Sequence, residues 1–146
     1  MFKHILVPTD GSELSYGAAE HAVALAKLSG GQLTAFHVAP SYHFDLSDAG
    51  PAHSVAPAEY EAHVAGEVQA HLAKVRQLAS AAGITCDAHY TFSDFTAEAI
   101  VDAVQKYGCD AVVMGSHGRR GLNKLLLGSE TEKVLVSTRV PVVVTH

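Results

Sequence analysis

The chain is short of cysteine, of basic charge and of long apolar runs, and each shortage narrows what it can do. Its two cysteines, Cys86 and Cys109, lie far apart and form no C-x-x-C pair. A reduced, cytoplasmic protein in which both thiols are small buried residues is the simplest expectation. Lysine and arginine number 10 against 15 acidic residues, for a net charge of −5. Generic nucleic-acid binding needs a basic face, and that balance argues against it. No run of eighteen apolar residues occurs, so no membrane span is expected. The opening Met1-Phe2-Lys3-His4-Ile5-Leu6-Val7-Pro8 lacks the apolar stretch and cleavage site of a signal peptide.

What is present is a core and a rhythm. The 146 residues are 48% hydrophobic, the size and composition of one domain spanning 1–146. Strand-like and helix-like segments alternate. Residues 2–8 read as a strand. Residues 12–29 carry Leu14, Ala18, Ala22, Leu25 and Leu28 at helical spacing, closed by Gly30-Gly31. A strand at 32–39 precedes a helix over about 57–82, marked by Val64, Val68, Leu72, Val75 and Leu78. A strand at 84–91, a helix through Ala97, Ile100, Val101 and Val104, and a strand at 110–115 follow. A helix at 130–138 and a last strand at 141–145 complete the pattern. The alternation predicts an α/β fold, a parallel sheet with helices on both faces. Residues 40–57, rich in Ser, Asp, His, Ala and Pro, are too long for an ordinary connection and read as a mobile surface loop.

The segment Met114-Gly115-Ser116-His117-Gly118-Arg119-Arg120-Gly121 through Gly128-Ser129 joins the fourth strand to the last helix. Glycines let backbone N–H groups approach an anion, and a helix start adds unpaired donors and a positive dipole end. A phosphate site is therefore plausible there. A structural reading competes: Ser129-x-x-Glu132 has the form of a capping box, and the glycines could simply permit turns. Asp10, after the first strand, likewise reads either as a ribose acceptor or as the N-cap of Asp10-x-x-Glu13. No G-K-[ST] follows the glycines, and Lys124 lies inside the loop, so this is not a Walker loop.

The spacing has a more specific form, G-x2-G-x9-G-[ST], through Gly115, Gly118, Gly128 and Ser129. With Ile5-Leu6-Val7-Pro8-Thr9-Asp10-Gly11-Ser12 at the start and Pro141-Val142-Val143-Val144 at the end, the whole chain resembles the ATP-binding subgroup of the universal stress protein family. The resemblance implies a Rossmann-like fold of the adenine nucleotide alpha hydrolase type: five parallel strands in the order 3-2-1-4-5. It implies bound ATP, or ADP or AMP, with Mg2+ or Mn2+ accompanying the triphosphate. Gly115, Gly118, Gly128 and Ser129 would cradle phosphates, with Glu130 and Thr131 at the helix start beside them. Asp10 would take the ribose, and Pro8 and Thr9 would line the adenosine pocket. Val38 would meet the adenine through backbone groups. Met114 would pack on the base or belong to the core. Arg119, and with less reason Arg120, would pair with phosphate oxygens or remain solvated. His117 reads as a phosphate contact or an exposed loop residue.

Ten histidines are scattered along the chain, unlike a tag. His63, Glu67 and His71 share a helix face, which reads as solvated surface rather than a metal site. The resemblance also implies a homodimer through the apolar edge segment Val140-Pro141-Val142-Val143-Val144-Thr145. Two classes of function remain in view: a nucleotide-dependent regulator in stress response, and a slow ATP-hydrolysing or autophosphorylating enzyme. Charge stabilisers can be named for the enzyme, but no convincing base. A hydride-transfer Rossmann enzyme fails, since the first turn reads Asp10-Gly11-Ser12-Glu13-Leu14 and not G-x-G-x-x-G.

Overall fold

A computed structural model describes residues 1–43, 56–117 and 127–146. Within them, β1 (His4–Pro8), α1 (Glu13–Ser29), β2 (Gln32–Ala39), α2 (Pro57–Ala81), β3 (Cys86–Phe92), α3 (Thr96–Lys106), β4 (Ala111–Gly115), α4 (Ser129–Ser137) and β5 (Val142–Thr145) follow in turn. The strands form one parallel sheet in the order β3-β2-β1-β4-β5. The expected order 3-2-1-4-5 is thus observed. Most of residues 40–57 lie outside the described residues.

Strand alternation splits the core in two. Ile5 and Val7 of β1, with Leu33 and Ala35 of β2 and Val113 of β4, pack under α1 and α2. Leu6, Phe36, Val112 and Met114 pack on the other face under α3 and α4, against Ile100, Val104 and Val134. Burial on both faces explains why β4 reads as an unbroken apolar run. The stripe on α1 differs from its expected form. Ser15, Ala18, Ala19, Ala22 and Ala26 are the buried residues, while Leu28 is 86% exposed. Small side chains let α1 lie close to the sheet, and the leucines fall to the rim.

The element ends differ from the expected ones for local reasons. β1 begins at His4 because Phe2 takes φ 58 and its carbonyl accepts the Ser29 hydroxyl. β4 begins at Ala111 because the Asp110 side chain turns back to β1 and accepts the N–H groups of Lys3 (2.9 Å) and His4 (3.0 Å). Desolvation pushes the Asp110 carboxyl up. Those two hydrogen bonds and the N-terminal charge outweigh it and hold the group below its ordinary value. Beside it, burial raises the Cys109 thiol to about 11, against a hydrogen bond with Thr34. Cys86 is half-buried and is also raised, chiefly by burial. Among the described residues no helix is long and apolar enough to cross a membrane.

Candidate functional site

β1 and β4 are neighbours, with Ile5 opposite Ala111 and Leu6 opposite Val112. Their carboxyl ends, Pro8 and Gly115, therefore open side by side. Beyond Pro8 the chain makes a tight, internally bonded turn. Thr9 is buried; its N–H donates to the Phe36 carbonyl at 2.9 Å and its hydroxyl accepts the Gly11 N–H at 3.3 Å. The same hydroxyl lies 3.0 Å from that of Ser15. Asp10 Oδ1 accepts the Ser12 N–H at 3.0 Å. Gly11 takes φ 79, a conformation that costs glycine little. Ser12 then caps α1, its Oγ accepting the Ser15 N–H at 3.2 Å. Asp10 is therefore not the N-cap. Its short side chain closes a turn on its own backbone, and Ser12, next to the first helical residue, caps the helix.

The chain leaves β4 through Ser116 and His117, whose side chains are 3.1 Å apart. The Ser116 N–H donates to Thr145 at 2.7 Å, and its carbonyl accepts the Gly128 N–H at 2.7 Å. Gly128 thus returns the loop to its starting point. A Cβ on Gly128 would stand 3.0 Å from His117 Cα and 3.1 Å from the Ser116 carbonyl oxygen. Its φ of −64 is open to any residue. Close approach of two backbones, not a left-handed conformation, is what requires glycine here. Gly118, Arg119, Arg120 and Lys124 lie outside the described residues.

α4 starts at Ser129 with Gly128 as N-cap, and no side chain among the described residues caps it. The capping box Ser129-x-x-Glu132 does not form, because Ser129 is already inside the helix. Glu130 sends one carboxylate oxygen to the Ala97 N–H at the start of α3, 2.9 Å away, and the other to Lys133, also at 2.9 Å. The Lys133 ammonium is raised, first by that hydrogen bond and then by the Glu130 charge. Thr131 is buried, and its hydroxyl donates to the Gly115 carbonyl at 3.1 Å. Both side chains therefore brace the scaffold. Met114 resolves the same way: at 7% exposure it belongs to the core with Leu6 and Phe36. Val38 sits one strand further out, half-buried on β2 and opposite Thr91 of β3.

The structure thus gathers Pro8, Thr9 and Asp10 beside Gly115, His117, Gly128 and Ser129. Leu14 of α1 links the two turns, since a Cβ on Gly115 would come within 2.9 Å of its Cγ. Sequence reasoning missed Ser12, whose hydroxyl just before Glu13 is the ordinary cap signal, and Ser116, which carries no local signal. It also missed His71 of α2, which leaves its surface stripe and packs on Gly11.

Comparison with known proteins covers the whole chain. The model of the Universal stress protein family matches residues 1–146. Universal stress protein MJ0531 of Methanocaldococcus jannaschii is 32% identical over 149 residues, 99% of this chain and 82% of its own. The solved structure of MJ0577 from the same organism matches with TM-score 0.83 at 27% identity, covering 99% of this chain and 96% of that one. A universal stress protein solved in complex with cAMP matches with TM-score 0.71 at 24% identity, over 99% and 97% of the two chains.

Proposed function

This chain belongs to the universal stress protein family, and from that premise we propose that it binds ATP, or ADP or AMP, in the crevice between the ends of β1 and β4. The observation that carries this reading is the start of α4. Its first-turn donors have no side-chain cap among the described residues, and the first-turn carboxylate of Glu130 is drawn away to Ala97 and Lys133. A helix start left in that state suits phosphate. In this reading Gly128 and Ser129, with Gly115, Gly118 and His117, hold the phosphates, and Arg119 pairs with their oxygens. Asp10 takes the ribose, and Pro8, Thr9 and Val38 border the adenosine. A relative solved with cAMP supports the adenine nucleotide class. Among the described residues no group of three or more His, Cys, Asp or Glu gathers to hold a metal. Mg2+ or Mn2+ would accompany the triphosphate on phosphate oxygens and water.

The physiological role that fits is a nucleotide-dependent regulator in stress response, acting in the cytoplasm as a homodimer. β5 is an edge strand of four residues, and the apolar Val136 of α4 is 80% exposed. The carbonyl of Pro141 accepts from Val112 of β4, and that of Thr145 from Ser116 just past its end. By strand alternation Val143 also faces β4, so Val142 and Val144 carry the donors of the outer edge. Val144→Pro is therefore the substitution that removes an outer donor while sparing the β4 ladder. It should shift sedimentation toward monomer; a wild type already monomeric at tens of micromolar rules out this edge.

The deciding experiment for the ligand starts from nucleotide-free protein. ATP with Mg2+ at about 100 times Kd should add about 2.7 kcal/mol of stability. For a chain of this length that raises Tm by about 5–10 °C. No shift at millimolar ATP overturns the reading. Retention of one nucleotide per chain without turnover supports a regulator; multiple turnovers support the enzymatic alternative.

A further inference from the structure

His63, Glu67 and His71 follow one another at four-residue spacing on α2, yet only the first two stay together on the surface, 3.9 Å apart. His71 is half-buried and turns toward the carboxyl end of β1. A Cβ on Gly11 would overlap its Cε1, Nδ1 and Nε2 atoms, so the flat of the ring lies where a side chain at position 11 would be. Neighbours on α1 and β2 pack on the ring. The Tyr16 hydroxyl of α1 shares a hydrogen bond with Nδ1 at 3.2 Å. The His37 ring of β2 stacks on it with centroids 5.8 Å apart and planes inclined by 24°. Lys74, one turn further along α2, places its ammonium 3.8 Å over the Tyr16 ring.

We propose that His71 is a positioning residue for the nucleotide site. It clamps Gly11 and thereby holds the turn that presents the Asp10 carboxylate. Resting on the proposed nucleotide reading, this adds a residue from α2 to a site otherwise built from β1, β4 and the starts of α1 and α4. The physical need is specific to this turn. Gly11 adopts φ 79, and a glycine is free to leave that conformation. Asp10 is bonded across Gly11 to the Ser12 N–H, so movement at Gly11 moves the carboxylate. An imidazole seated on Gly11 restrains the turn from outside, as a side chain on residue 11 could not. Restraint before binding reduces the ordering cost at binding.

The test is a double-mutant cycle with titrations of ATP, ADP and AMP. His71→Ala should weaken all three alike, by about tenfold, the scale of coupling between contacting groups. In an Asp10→Ala background the same change should weaken them no further. His71→Phe, which restores a flat ring over Gly11, should recover most of the loss. Unchanged affinity in His71→Ala, or an equal loss with and without Asp10, overturns the proposal while leaving nucleotide binding intact. If the wild type binds none of the three, the functional reading itself has failed, and the clamp is judged in ligand-free protein by amide hydrogen exchange. Gly11 and Ser12 should then exchange faster in His71→Ala, with β1 and β4 amides unchanged; unaltered exchange at Gly11 and Ser12 overturns it.

Discussion

α1 and α4 begin at the carboxyl ends of neighbouring strands, and they begin in opposite ways. The start of α1 is satisfied from within: Ser12 caps it, Asp10 closes the turn before it, and His71 covers Gly11. The start of α4 has a glycine at its cap and no side-chain cap among the described residues. Its own Glu130 instead serves α3, whose N-terminus also lacks a side-chain cap from its N-cap residue. One helix start is finished by the chain; the other suits completion by a ligand. In the proposed reading, the α1 turn orients the sugar and the α4 turn holds the charge. Substitutions at the two starts should therefore separate stability from binding.

The largest effect belongs to Gly128→Val. Its Cβ would press on the backbone of Ser116 and His117, and the loop would close wrongly around any phosphate. Calorimetry should detect no ATP binding, while the far-ultraviolet spectrum stays folded and overpacking lowers stability by about 1–3 kcal/mol. Wild-type affinity in this variant would place the phosphates elsewhere. Next comes Asp10→Ala, expected to weaken ATP, ADP and AMP alike by about 1–3 kcal/mol, as for loss of a charged hydrogen-bond acceptor. A loss confined to ATP would move Asp10 to the γ-phosphate and give the enzymatic alternative its missing group.

A matched pair sharpens the comparison at smaller scale. Ser12→Ala removes a cap and should cost about 1 kcal/mol in denaturant unfolding of ligand-free protein. Ser129→Ala, at an exposed helix start, should leave that stability within about 0.5 kcal/mol. It should instead weaken ATP binding by about 0.5–1.5 kcal/mol. If the two variants exchange these behaviours, the division between the starts is wrong. The smallest effect is set at the opposite end of the sheet. The Asp110 carboxyl is depressed, so its stabilisation is present above the unfolded value, about 4, and fades as pH falls through the lower folded value. Asp110→Asn should be less stable than wild type by a constant margin from about pH 5 to 7. That margin should shrink in acid, read by urea titration, with nucleotide affinity at neutral pH unchanged.

The strands and the sheet order were legible because apolar runs and helical spacing are local patterns, and the family resemblance supplied the order. The need for glycine at position 128 was legible as a need for close approach; that the approach is to the backbone of Ser116 and His117, at an ordinary φ, was not. What stayed hidden depends on partners distant in sequence. Nothing near Glu130 announced that its carboxylate accepts from Ala97, 33 positions earlier. Met114 carried two readings until packing placed it with Leu6 and Phe36. His71 kept perfect surface spacing with His63, and nothing near it in the chain announces Tyr16, His37 or Gly11 as neighbours. Periodicity shows which face a side chain shares, but not what lies across from it.

The hydrogen bond from Lys3 to Asp110 spans 107 positions, and it bears on how the chain is made. β1, the middle strand of the sheet, is synthesised well before β4. It pairs early with β2, through Ile5 and Leu33, but its other neighbour begins only at Ala111. At roughly 5–20 residues per second, the wait lasts on the order of ten seconds. Throughout it, the fully buried Ile5, Leu6 and Val7 belong to a strand with one side still unpaired, the state most open to mispairing with other nascent chains. A polypeptide cut short before Ala111 would keep that open side permanently.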